Sequence, residues 1–164
     1  MERDITNLVE ILPSVSQMIE SIKTCKDRTT KSVLRKSLRR LLQYSSECGK
    51  YTYSMSAKSL CENKGIDIHK LNRTHPNTKL LSKETPNKPI MLLEHPYPLS
   101  EFMDDLMKTP KELLLVSLMK YPPLVWITRQ ENDLLNSNGF NRKRPGGWKK
   151  CYEKCEIILC GQVF

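Results

Sequence analysis

Apolar side chains follow two different rhythms along this chain, and the change of rhythm limits the folds open to it. Up to residue 47 they recur every three or four positions. Ile5, Leu8, Val9, Leu12, Val15, Met18, Ile19 and Ile22 do so first, then Val33, Leu34, Leu38, Leu41 and Leu42. That is the period of a helix with one buried face. The spacing predicts helices over 4–25 and 29–47, the first kinked or divided at Pro13. A short third helix is expected over 54–64, with Ser54 or Ser56 as N-cap and Gly65 as its stop. Beyond residue 89 the apolar residues come in runs of four instead. Ile90-Met91-Leu92-Leu93 and Leu124-Val125-Trp126-Ile127 have the length and composition of buried strands. Helices are expected between them over 99–107 and 110–120, the second with Thr109 as N-cap and Pro110 at its first position.

After the second run, Thr128-Arg129-Gln130-Glu131 has the form of a capping box, Thr at the N-cap and Glu three residues on. It opens a helix through Leu134 and Leu135 to about Gly139. A basic loop over 141–147, a helix over 148–155 and a last strand over 157–159 complete the chain. The stretch 72–89 is polar and broken by Pro76, Pro86 and Pro89, which reads as a linker or long loop. The expected organisation is therefore α+β, with a helical N-terminal region 1–71, the linker 72–89 and a second region 90–164.

Charge narrows the choice of partner. Lys and Arg number 27 against 18 Asp and Glu in 164 residues, a formal net charge of +9. Such an excess favours polyanions, nucleic acid first. Between residues 28 and 50 the basic residues are Arg28, Lys31, Arg35, Lys36, Arg39, Arg40 and Lys50, and Glu47 is the single acidic one. A solvated helix face mixes signs through i,i+4 pairs; this one does not, as a phosphate-facing helix would not. No apolar run has the length of a membrane span, and the charged start Met1-Glu2-Arg3-Asp4 lacks a signal-peptide core. No membrane partner and a cytoplasmic location are expected. The six cysteines (Cys25, Cys48, Cys61, Cys151, Cys155 and Cys160) form no Cys-x-x-Cys pair. They are expected as free thiols rather than structural zinc ligands.

The pair most suited to chemistry is Glu94-His95, at the end of the first expected strand. A carboxylate beside an imidazole can hold a divalent metal and activate a water next to it. The run Glu94-His95-Pro96-Tyr97-Pro98-Leu99-Ser100, followed by Leu124-Val125-Trp126-Ile127 and Thr128-Arg129-Gln130-Glu131-Asn132, resembles the HNH, or ββα-metal, nuclease superfamily over residues 90–137. That family's core reads as an acidic residue, His, two residues, Pro and Leu, then a second strand and a helix bearing the last metal ligand, His or Asn.

The resemblance implies a helical N-terminal part followed by a ββα-metal-like core with inserted helices and a short C-terminal strand. It implies a metal-dependent endonuclease of restriction or mobile-element type. His95 would be the general base. Glu94 and Asn132, with Glu131 beside them, would hold Mg²⁺ or Mn²⁺ through hard oxygen donors. Arg35, Lys36, Arg39 and Arg40 on the N-terminal helix would contact nucleic acid, probe for probe with Arg129, Arg142, Lys143 and Arg144 near the core. Cutting both strands of double-stranded DNA implies a homodimer.

The chain departs from the family in having Glu where Asp is usual and a long insertion between the two halves. It also lacks a placed middle Asn, since Asn136 and Asn138 lie beyond the connecting loop. Two alternatives stand beside the nuclease: a non-catalytic nucleic-acid-binding protein, such as a regulator or phage-encoded factor, and an interaction module for an acidic protein. His69 and His75 read as solvated loop residues, and Asp104-Asp105 as a water-facing helix pair. Phosphate-binding Gly-rich loops and the Gly-x-Ser-x-Gly elbow are missing, which sets aside NTPases, α/β-hydrolases and dinucleotide enzymes.

Overall fold

The computed structural model describes residues 5–47, 51–71 and 89–160. The expected linker lies outside these residues except for Pro89, as do Cys48, Lys50 and His75. In chain order the elements are α1 (Ile5–Thr24), α2 (Arg28–Glu47), β1 (Thr52–Tyr53), α3 (Met55–Asn63), β2 (Met91–Glu94), α4 (Leu99–Leu106), α5 (Leu114–Met119), β3 (Val125–Thr128), α6 (Arg129–Ser137) and α7 (Trp148–Lys154). The α+β character is as expected. No helix among the described residues is long and apolar enough to cross a membrane.

Two compact units are assembled from interleaved stretches, where the expected regions were contiguous. One takes Met1–Lys50 with Tyr97–Pro123, the other Tyr51–Pro96 with Leu124–Phe164. In the first unit, α1, α2, α4 and α5 enclose a core that includes Leu8, Val15, Ile19, Leu38, Phe102, Leu106 and Leu118. Helix α1 runs through Pro13 undivided. The proline is exposed, so the carbonyl it leaves without an amide partner, one turn back at the exposed Val9, meets water. Three residues join α1 to α2. Asp27 Oδ2 accepts the Thr30 amide at 2.6 Å and caps α2. That amide holds the Asp27 carboxyl below its ordinary range.

The expected helix over 110–120 is a 3-10 turn (Lys111–Leu113) running into α5. Thr109 is not its cap: the hydroxyl donates back to the Asp105 carbonyl at 2.9 Å, and Pro110 takes the cap position.

The second unit is built on a three-stranded sheet in the order β1-β3-β2. Central β3 is buried along its length. It pairs parallel with β1 (Thr52↔Val125, Tyr53↔Trp126) and antiparallel with β2, from Met91↔Thr128 to Glu94↔Val125. The expected strand over 157–159 is reduced to one antiparallel bridge, Ser54↔Leu159. The Met55 and Cys160 amides flank it, donating to the Ile158 and Tyr53 carbonyls at 2.8 and 2.9 Å. The ladder stops there because its partner turns into α3 at Met55. Ser54 caps α3 by accepting the Ala57 amide at 3.0 Å. Gly65, at φ +63°, closes it as the Ile66 amide reaches the Cys61 carbonyl at 2.9 Å.

Candidate functional site

Glu94 stands where β2 ends, with its side chain 13 % exposed. Both carboxylate oxygens are engaged. Arg144 Nη2 donates to Oε1 at 2.5 Å, and the Tyr152 hydroxyl donates to Oε2 at 2.6 Å. Arg144 also donates through Nε to the Pro96 carbonyl at 3.1 Å. Its side chain is 2 % exposed, and Tyr152 on α7 is fully buried. Burial pushes the Glu94 carboxyl above its ordinary range, against the opposing pull of the Arg144 charge and the Tyr152 hydroxyl. Burial, with the Glu94 charge beside it, pushes the Tyr152 phenol well above its usual range, so it remains a donor. The arrangement ties the end of β2 to the loop before α7 and to α7 itself.

The other residues of the expected metal centre are placed differently. His95 is half-buried directly after Glu94, and Asn132 is half-buried on α6. The strand register sets Glu94 opposite Val125 and Met91 opposite Thr128. The start of α6 and Glu94 therefore lie at opposite ends of the ladder, about 10 Å apart along the strand. Glu131 forms the expected capping box. Its Oε2 accepts from the Thr128 amide at 2.7 Å, the Thr128 hydroxyl at 3.0 Å and the Ser54 hydroxyl at 2.8 Å. Among the described residues, buried Oε1 has no hydrogen-bond partner. Among the described residues, no group of three or more His, Cys, Asp or Glu side chains is arranged to hold a metal ion. The Glu94 carboxylate accepts from Arg144 and Tyr152, and Glu131 Oε2 accepts from Thr128 and Ser54.

Of the residues expected to contact nucleic acid near the core, Arg144 is buried, with its guanidinium against Glu94. Arg129 is half-buried and donates through Nε to the Pro89 carbonyl at 2.7 Å. Arg142 and Lys143 are exposed on the loop before α7.

Helix α2 gathers charge differently. A groove of about 390 Å³ lies along it, and its lining includes Arg28, Lys31, Arg35, Lys36 and Arg39 from α2 and Met103 from α4. Arg40 is exposed on the same helix outside this lining. The hydrophobic stripe Leu34, Leu38, Leu41 and Leu42 faces the core of the unit, which leaves the basic residues on the other faces. Arg35 pairs with Asp104 of α4 at 2.6 Å. Among the described residues, Arg28, Lys31, Lys36 and Arg39 have no carboxylate partner.

Four members of these two clusters, Tyr152, Asp104, Arg28 and Lys31, escaped the sequence reading as site residues. Tyr152 and Asp104 bond to residues 58 and 69 positions away, and no local pattern marks such a partner. Arg28 belongs to the basic run, but only the groove shows that it shares a face with Arg35 and Arg39. Comparison with protein-family models, with curated proteins and with solved structures found no match for the chain.

Proposed function

We propose that this chain is a nucleic-acid-binding protein whose contact surface is the α2 groove, with double-stranded DNA as the preferred partner. The observation that carries the reading is the set of five cations along one groove, four of them with no carboxylate partner among the described residues. Unneutralised cations on a folded surface repel one another. A row of them is relieved when phosphates replace their condensed counterions. Among the described residues, the groove lining has no aromatic side chain and is rich in Arg and Lys, which favours contact with the sugar-phosphate backbone over base stacking.

The test is binding of a labelled duplex across a salt series. Affinity falls steeply with salt, and the double variant Lys36→Ala, Arg39→Ala lowers the slope of log affinity against log salt by about 2. A wild type that does not bind at low salt overturns the reading and leaves an acidic protein as the partner.

A second reading, a metal-dependent DNA endonuclease, draws on one observation: β2 and β3 are antiparallel and α6 follows directly. For it to hold, Glu94 must leave Arg144 and Tyr152. Cleavage of plasmid with Mg²⁺ or Mn²⁺, lost in His95→Ala, would establish it. Binding without cleavage under either metal favours the first reading.

A further inference from the structure

Asp104 of α4 pairs with Arg35, the central cation of the α2 groove. Arg28, Lys31, Arg35 and Arg39 succeed one another at steps of three or four residues, one helical turn of about 5.4 Å each. Asp104 Oδ1 lies 2.6 Å from Arg35 Nη2, with both side chains partly open to water at 57 % and 40 % exposure. A carboxylate and a phosphate present the same kind of paired oxygens to a guanidinium. An anion that takes Arg35 must therefore displace Asp104, or bind beside its negative charge.

We propose that Asp104 is a specificity-determining residue of this groove, a phosphate stand-in that yields only to a ligand held at several points. The proposal rests on the nucleic-acid reading above. A lone anion gains one contact at Arg35 and must displace Asp104 by itself. A polymer of phosphates is already held by Arg28, Lys31, Lys36 and Arg39, so the exchange at Arg35 is carried by its neighbours. The exposure of the Arg35–Asp104 pair keeps the exchange cheap, since exposed ion pairs are weak. The groove thus discriminates against small anions without giving up affinity for a backbone.

The experiment measures binding of a labelled duplex to the full chain, by anisotropy over a salt series, for wild type, Asp104→Asn, Arg35→Ala and the double variant. Both positions are partly exposed, and thermal melts check that each variant is folded. Asp104→Asn binds about two- to fivefold tighter at low salt. Its salt slope steepens by up to about 0.9, the contribution of one fully freed phosphate contact. Arg35→Ala loses more affinity in the Asp104→Asn background than in the wild type, because only there is Arg35 free from the start. Unchanged or weaker binding by Asp104→Asn overturns the proposal while leaving the nucleic-acid reading in place. Equal losses from Arg35→Ala in the two backgrounds also overturn it, since they mark a diffuse charge effect. Wild type and Asp104→Asn both failing to bind at low salt would remove the nucleic-acid reading itself.

Discussion

At the scale of single residues, Glu94 shows how one carboxylate can invite two readings. Its neighbour His95 suggests metal chemistry. Its partners Arg144 and Tyr152 make it an anchor. A buried ion pair broken from one side leaves a charge without its counterpart. Arg144→Met is therefore expected to lower stability by about 3–5 kcal/mol near neutral pH, measured by urea unfolding. Tyr152→Phe removes one hydrogen bond to a charged group and is expected to cost about 1.5–3 kcal/mol.

The pH dependence has a definite sign. Because the folded Glu94 carboxyl sits above its ordinary range, this group's contribution to stability is largest at acid pH. It is lost as pH rises from the ordinary carboxylate range through the raised folded value. Removing Arg144 raises that value further, so the Arg144→Met deficit is largest at neutral pH and shrinks in acid. That Glu94 is a special residue was legible from its setting at a strand end before a histidine. What it touches was not, because Arg144 and Tyr152 are 50 and 58 positions away.

At the scale of elements, local signals were legible and pairing signals were not. The Thr128–Glu131 capping box and the Ser54 cap are written within four residues, and both are present. Strand β1 has two residues, too few to show any period. The expected last strand has the right composition but only one bridge to pair with. Helix ends follow the same division. Gly65 and Gly139 mark the ends of α3 and α6, with φ of +63° and +75°. Helix α7 closes in the same manner with no glycine: the Ile157 amide reaches the Tyr152 carbonyl at 2.8 Å while Glu156 holds φ +57°. A left-handed conformation strains a residue with a Cβ. Glu156→Gly is expected to raise stability by up to about 1 kcal/mol, read as a higher thermal midpoint.

At the scale of the whole molecule, reading the chain from one end to the other suggests successive regions, and the contacts return a different partition. Leu99, Phe102, Met103, Leu106, Leu114 and Leu118 complete the core begun by α1 and α2. Apolar periodicity identifies these residues as buried but does not say which core they enter. A fragment of residues 1–50 therefore lacks much of its apolar cover. It is expected to lose the cooperative thermal transition of the intact chain and to show reduced helical circular dichroism. The net charge of +9, by contrast, was legible at once. It required the groove along α2 to become a located surface rather than an average.

The interleaving also bears on how the chain answers a break. A single cut between residues 72 and 88 yields two pieces, and neither is a unit. The first carries α1 and α2 of one unit with β1 and α3 of the other. The second carries α4 and α5 of the first unit with β2, β3, α6 and α7 of the second. Each piece supplies walls to two separate cores, so the halves are bivalent for each other, and releasing one from the other requires both cores to open.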